Sequence, residues 1–262
     1  MTAVARPAAR TLVGRYLPPL VVFAAVLAVW EVTTAGPGRR VLPAPSSILT
    51  AVTSNFDSLF RATQASFFEA IGGLVLGTLV GLIISFASAR WITARDLLLP
   101  IAIAASAVPI IAVAPILNNW FGVLSPVSKM AMAALLVFFP IVVNVTRGLV
   151  EVPPSSLELM RAYAATEVEV LRKVRLPNML PYLFTALKVS TTLAFIGALV
   201  GEYFGGSSEV LGRKVLESMA SGAFNLAWAC ILIGAAAAIA AYLVVSLVER
   251  LVMPWQAASG AD

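Results

Sequence analysis

Apolar residues along this chain fall into six long runs, at 17–34, 67–88, 97–117, 126–145, 181–200 and 223–247. A helix needs about 20 residues to cross the roughly 30 Å of bilayer hydrocarbon, and each run is about that long. Barrel strands alternate apolar and polar positions in short segments, a pattern missing here. The pattern therefore predicts an all-α polytopic membrane protein of six transmembrane helices. A single membrane domain covers 17–250, between an N-terminal segment, 1–16, and a tail, 251–262. The first run continues into "WEVTTAGPGRR" without an A-x-A-like cleavage site, so it reads as a retained span. After it comes "VLPAPSSIL", where Pro43 and Pro45 favour extended backbone and Ser46 can cap a short helix reaching Asn55. Ile48, Leu49, Val52 and Phe56 recur at helical spacing there, which suits an interfacial helix.

Composition agrees with a bilayer setting. Sixty per cent of the 262 residues are hydrophobic and 12% are charged, against about a quarter charged in soluble domains. The net charge of +5 is a matter of orientation, because the basic residues are unevenly placed. Arg6, Arg10, Arg15, Arg90, Arg95, Arg147, Arg161, Arg172, Lys173, Arg175 and Arg250 flank alternate ends of the runs. Arg39, Arg40, Arg61, Lys129, Arg213 and Lys214 occupy the other side. By the positive-inside rule both termini and the 151–177 segment face the cytoplasm; a nucleic-acid role is not indicated. Histidine is absent, and the aspartates Asp57, Asp96 and Asp262 are scattered, so neither a metal site nor a catalytic centre is expected. No G-x-x-x-x-G-K-[ST] loop is present to hold ATP. The lone Cys230 permits no intrachain disulfide.

Several runs carry features beyond hydropathy. Gly73, Gly77 and Gly81 form a ridge with one glycine every four residues, and Gly197 and Gly201 begin a second. Such ridges let membrane helices approach closely, and helix packing is the role assigned to all five. The third run holds Pro100, Pro109 and Pro115, each removing a backbone hydrogen bond, so it is expected to be a kinked span bordering a cavity. Asn118 and Asn119 close it, either where a polar solute enters or leaves or simply as a helix end. Asn144 is interhelical glue or pathway lining. Lys188 lies about 10 Å into the fifth run and is expected to snorkel to the cytoplasmic interface. Glu31, Glu69 and Glu202 fall at the outer ends of their runs, where a carboxylate can reach water. Pro109, Pro115, Asn118, Asn119, Asn144 and Glu202 are the candidates for a translocation pathway.

The segment at 151–177 interrupts this oil with "ELMRAYAATEVEVLRKVRLP". Ser155 with Glu158, and Thr166 with Glu169, match the S/T-x-x-E capping box. Leu176-Pro177 should then stop the structure, because a residue before proline disfavours the helical region. The segment thus reads as two short helices in a helix-turn-helix bend. Leu157, Met160, Ala164 and Ala165 supply an apolar, small-residue face, and Arg161 and Tyr163 are residue types that anchor interfaces. Reversing the chain needs only a few residues, so this length implies a function.

These residues resemble the EAA loop of ABC-importer permeases, in which E-A-A is followed at fixed spacing by a glycine, an aliphatic residue and L-P. Glu158 takes the glutamate position, Val174 the aliphatic one and Leu176-Pro177 the last pair. Leu159 and Met160 replace the two alanines, and Ala164 replaces the glycine. "LPAPSSI", "VPIIAVAPI", "FFPIVVN" and "VRLPNMLPYLFTALKVSTTLAFIGALVGEYFG" look like the nitrate, sulfonate and taurine branch of these type I permeases, which includes transporters of pyrimidine precursors, riboflavin and aromatic acids. Asn118 and Asn119 depart from it, standing where such sequences carry apolar residues before W-F-G.

The resemblance implies a subunit of the bacterial inner membrane that is not itself an enzyme. Two copies would form the pathway, an extracytoplasmic binding protein would deliver the solute, and two cytoplasmic ATPases would bind ATP and magnesium. Glu158, Leu159, Met160, Arg161, Ala162, Tyr163, Ala164, Ala165, Val174, Leu176 and Pro177 would form the ATPase-coupling segment. The alternative class is a secondary transporter or channel, for which neither an inverted repeat nor a charge relay is visible.

Overall fold

The computed structural model of the chain describes residues 9–35 and 41–254, and every regular element among them is helical. Residues 1–8, Arg39, Arg40 and the tail beyond 254 lie outside the described residues. The helices are α1 (Ala9–Thr34), α2 (Pro45–Ser54), α3 (Phe56–Arg90), α4 (Ile92–Ala105), α5 (Ile110–Phe121) and α6 (Pro126–Val150). They are followed by α7 (Pro154–Ala162), α8 (Glu167–Val170), a π-turn (Leu171–Arg175), α9 (Leu176–Phe204), α10 (Leu211–Ala220) and α11 (Phe224–Val252). Among the described residues, five helical stretches are long and apolar enough to cross a membrane: Leu17–Thr34, Phe56–Arg90, Pro126–Val150, Glu167–Phe204 and Phe224–Val252.

The third apolar run is not one continuous kinked helix. It breaks at 106–109 into α4 and α5, of 14 and 12 residues. At 1.5 Å per residue each is only about 20 Å long, short of the bilayer core, so the two together make the passage from Arg90 at the end of α3 to Asn118 beside Lys129 at the start of α6. Pro109 sets the break: it is extended, with ψ 115°, and starts α5 afresh. Ser106 donates its hydroxyl to Ile103 O at 2.6 Å and covers a carbonyl left at the end of α4.

The other spans are longer than their hydropathy. α3 starts at Phe56 rather than 67, because the mixed stretch 56–66 is amphipathic and buries Leu59, Ala62 and Ser66. α10, an amphipathic helix in the link to α11, was not among the expected elements; it buries Leu211, Gly212 and Ser218. The short helix α2 forms as anticipated, but Ser46 does not cap it. Pro45 leads its first turn, and the Glu31 carboxylate accepts from Ser46 N at 3.0 Å and from Ser46 Oγ at 2.6 Å. Glu31 therefore sits at the positive end of α2 rather than being held by water alone.

The bundle is built around α6. Ala133, Val137, Ile141, Val145 and Leu149 recur every four residues along it and are fully buried. The two glycine ridges press on this helix from either side. A Cβ on Gly73 would lie 2.3 Å from the Ala133 Cβ, and one on Gly197 would lie 2.7 Å from the Ala133 Cα. Gly77 and Gly81 continue the first contact, their added Cβ atoms falling 2.5 Å from Ala134 O and 2.6 Å from Ile141 Cγ2. Gly201 continues the second against Met132. Lys188 does not simply snorkel: its ammonium pairs with Glu249 of α11 at 2.8 Å, with both side chains mostly buried. This pair ties α9 to the last turns of α11.

Replacing Gly73 or Gly197 with leucine should destabilise the purified protein by about 1–3 kcal/mol or more, since overpacking a tight contact has that cost. Gly234→Ala should be within about 0.5 kcal/mol of wild type, because the nearest atoms to an added Cβ there are 3.5 Å away. Thermal unfolding in detergent measures all three; wild-type behaviour of both leucine variants would remove the two ridges from the account of packing.

Candidate functional site

Two regions concentrate polar chemistry, one at each end of the bundle. The first is the insert that follows α6. Of its two expected capping boxes only the second forms. Thr166 Oγ1 accepts from Glu169 N at 3.3 Å, and the Glu169 carboxylate accepts from Thr166 N at 2.9 Å. Ser155 makes no cap, because Pro153 and Pro154 start α7 ahead of it and leave Ser155 inside the first turn.

The end of α7 is a Schellman turn. Ala165 N donates to Met160 O at 3.0 Å and Ala164 N donates to Arg161 O at 2.9 Å, the pair of bonds that defines this motif. Ala164 occupies its left-handed position with φ 47°, the one non-glycine residue with positive φ among those described. Glycine is usual there because a Cβ costs about 1–2 kcal/mol in that conformation.

Leu176-Pro177 does not stop the helix as expected. The chain runs from α8 through the π-turn into α9, and Leu176 N donates to Leu171 O, five residues back. Proline abolishes one helical hydrogen bond and crowds the carbonyl four residues earlier, here that of Lys173. The wider π-turn contains Lys173 and takes up that misfit, so insert and span form one continuous rod. Asn178 fastens the rod to the end of α6 by donating to Gly148 O at 2.7 Å and Glu151 O at 3.1 Å. A cleft of about 350 Å³ separates the rod from the end of α3, between Phe86, Arg90, Val168 and Arg175.

No residue of α7 is buried. Leu157, Met160 and Ala165 turn partly toward the chain, whereas Glu158, Arg161, Ala162 and Ala164 are exposed. The outermost apolar groups are Leu159, 57% exposed, and Tyr163, 78% exposed, one helical turn apart. The uncovered apolar face thus differs from the one read in the sequence. Val174 and Leu176 are half-buried and Pro177 is exposed.

The second region lies at the opposite end, where α3, α5, α6, α9 and α10 meet. Glu69, Lys129, Glu202 and Asn118 are buried there, none more than 5% exposed. Glu69 and Glu202 therefore do not reach water at their span ends, and Lys129 is not a loop cation. Lys129 Nζ donates to Asn118 Oδ1 at 3.4 Å and to Val123 O. Glu202 Oε2 accepts from Gly212 N at 2.6 Å, and Ser66 Oγ accepts from Leu211 N at 3.0 Å. These are first-turn amides of α10, a helix that has no side-chain cap of its own. Its N-terminus is therefore capped by side chains from α3 and α9, with a carboxylate where the helix dipole favours one. Gly212 must be glycine: a Cβ would lie 2.5 Å from Leu199 O.

The six pathway candidates do not line one cavity. Asn118 and Glu202 join the far-end cluster, while Asn119, Pro109 and Pro115 are exposed. Asn144 sits near the other end of α6 and donates to Pro140 O of its own helix at 2.8 Å. A separate cleft of about 750 Å³, lined by Ser47, Thr50, Asn55 and Asn225 among others, contains none of the six. Sequence reasoning missed Glu69, Lys129 and Ser66 as a group. The available signal was that ionisable residues inside spans pair with one another.

A family model described as the inner membrane component of binding-protein-dependent transport systems matches residues 73–257. A probable ABC transporter permease protein of Haemophilus influenzae is 34% identical over 84% of this chain and 89% of its own length. The formylaminopyrimidine transport permease protein of Halalkalibacterium halodurans is 30% identical, covering 92% of this chain and 96% of its own. The riboflavin transport system permease protein of Chloroflexus aurantiacus is 31% identical, covering 88% and 87%. With its multi-pass helical fold and a match over most of its length, the chain belongs to the family of inner membrane components of binding-protein-dependent transport systems, the type I ABC importer permeases.

Proposed function

We propose that this chain forms the membrane pathway of an ATP-driven importer for a small polar organic or anionic solute. Two copies would enclose the pathway, two cytoplasmic ATPases would drive it, and an extracytoplasmic binding protein would deliver the solute. The named solutes of its relatives include a formylaminopyrimidine and riboflavin, at 30% and 31% identity, aliphatic sulfonates, at 30%, and nitrate, at 24%.

The observation that carries the reading is the insert. A short helix with Leu159 and Tyr163 uncovered at its tip, closed by a Schellman turn, is built to be gripped. Because α8, the π-turn and α9 form one rod, a displacement of the insert moves α9 against α6 as a rigid body. ATP-driven closure of the two ATPases would thereby reorient the pathway, provided they hold the two conformations with different affinity. In this orientation the insert is cytoplasmic and the Glu69–Glu202 end is extracytoplasmic.

Sidedness is tested by cysteine labelling. Ala162→Cys and Ser208→Cys, both at exposed positions, should react from opposite faces of the membrane; labelling from one face refutes the orientation.

Coupling is tested by co-purifying the ATPase with permease variants. Tyr163→Ala should weaken retention at least tenfold, since an interface anchor contributes about 2 kcal/mol or more. Ala164→Trp should release the ATPase, because a bulky side chain must fit both a left-handed backbone and a close contact. Ala164→Gly should relieve about 1 kcal/mol of strain and retain the ATPase at least as well as wild type. Full retention by both the tyrosine and tryptophan variants, with normal solute-stimulated ATP hydrolysis, would overturn the assignment of α7 as the coupling helix.

A further inference from the structure

The cleft between α3 and the rod combines two guanidinium groups with apolar surface. It holds about 350 Å³; Arg90 enters from α3 and Arg175 from the rod, and Phe86, Val168 and Leu171 add hydrocarbon. Neither arginine makes a hydrogen bond or an ion pair among the described residues, and Glu167, the one carboxylate in the lining, is paired with neither. Lys173, next along the rod, is already engaged by Glu169 at 3.3 Å. Two guanidinium groups on one small cleft, both without a counter-ion, suit an anion with several oxygens such as a phosphate.

Membrane depth narrows the anion further. Arg90 lies just past the apolar run 67–88, and Arg175 just ahead of the run 181–200. Trp91, 60% exposed, follows Arg90, and tryptophan favours the headgroup layer. Phe86 is one helical turn nearer the bilayer centre than Arg90 and is 36% exposed. A ligand that uses the whole cleft therefore carries negative charge at headgroup level and hydrocarbon one turn deeper. A soluble anion would meet the arginines and leave Phe86 without a role.

We propose that this cleft binds one anionic phospholipid, its phosphate between Arg90 and Arg175 and an acyl chain running past Phe86. Basic pockets between membrane helices take anionic headgroups in this way. Arg90 closes α3 and Arg175 ends the π-turn, so the headgroup bridges α3 to the rod. The site stands whichever solute the protein carries and whatever grips α7.

Native mass spectrometry of the purified, delipidated permease reads occupancy without transport or the ATPase. Each chain should retain one phosphatidylglycerol at a concentration about thirtyfold below that needed for phosphatidylcholine with the same acyl chains, about fivefold from each arginine. Arg90→Gln and Arg175→Gln should each remove one such factor, and the double variant should abolish the preference. Arg213→Gln, at an arginine paired with Glu217 in α10, should leave it unchanged. Val168→Glu keeps both arginines but brings a carboxylate into the cleft; it should weaken retention about as much as one arginine variant, and it serves if the double variant does not insert. Equal retention of the two lipids by wild type, or a preference that survives in both the double variant and Val168→Glu, would overturn the proposal. So would release of the lipid by inorganic phosphate, which marks a site for a soluble anion. Arginine variants that keep the lipid but lose the ATPase on co-purification would also overturn it, assigning the cleft to an acidic surface of that partner.

Discussion

The structure depends on how closely α3 and α9 can approach α6. Lipid tails are as apolar as the helices, so no hydrophobic effect drives spans together, and association rests on contact distance and polar bonds. Ala133 is the narrowest point. Gly73 backs onto it from one side and Gly197 from the other, and neither position has room for a Cβ. With those distances set, the column from Val137 to Leu149 is buried on both flanks. Beyond Ala133, toward the α10 end, Glu69, Lys129 and Glu202 of these three helices are all buried.

Polar bonds then fix what close packing leaves free. At the insert end, Asn178 covers the carbonyls at the close of α6, and the Lys188–Glu249 pair joins α9 to α11. At the other end Ser66 and Glu202 cover the opening amides of α10. Each bond sits at a helix terminus or links two spans, where an unmet backbone group in a bilayer costs several kcal/mol. Between the two ends Ser85 of α3 donates to Val142 O of α6 at 3.3 Å, and the packed faces there are mostly apolar.

Much of this was legible in the chain, for identifiable reasons. Apolar runs mark spans because the bilayer demands continuous hydrophobicity, and the glycine ridges follow from a spacing of four residues. Thr166 with Glu169 is a local signal that the local structure obeys. Ser155 with Glu158 carries the same signal, but Pro153-Pro154 starts the helix earlier, so position overrides residue type. Pro109 marked a distortion, yet whether a proline kinks or breaks a helix depends on what packs around it. The burial of Glu69 and Lys129 was not legible: each lies near the end of an apolar run, and only the length of α3 and the docking of α10 carry them out of water. α10 itself escaped because its apolar face rests on partners far away in sequence.

That last dependence bears on biogenesis. Ser66 and Glu202 lie upstream of the amides they cover, by 145 and 10 residues. A chain emerging N-terminus first has therefore already supplied both caps when Leu211 leaves the ribosome. The helix that closes the far end can nucleate against a finished template, and its opening amides need not wait uncovered at the membrane surface.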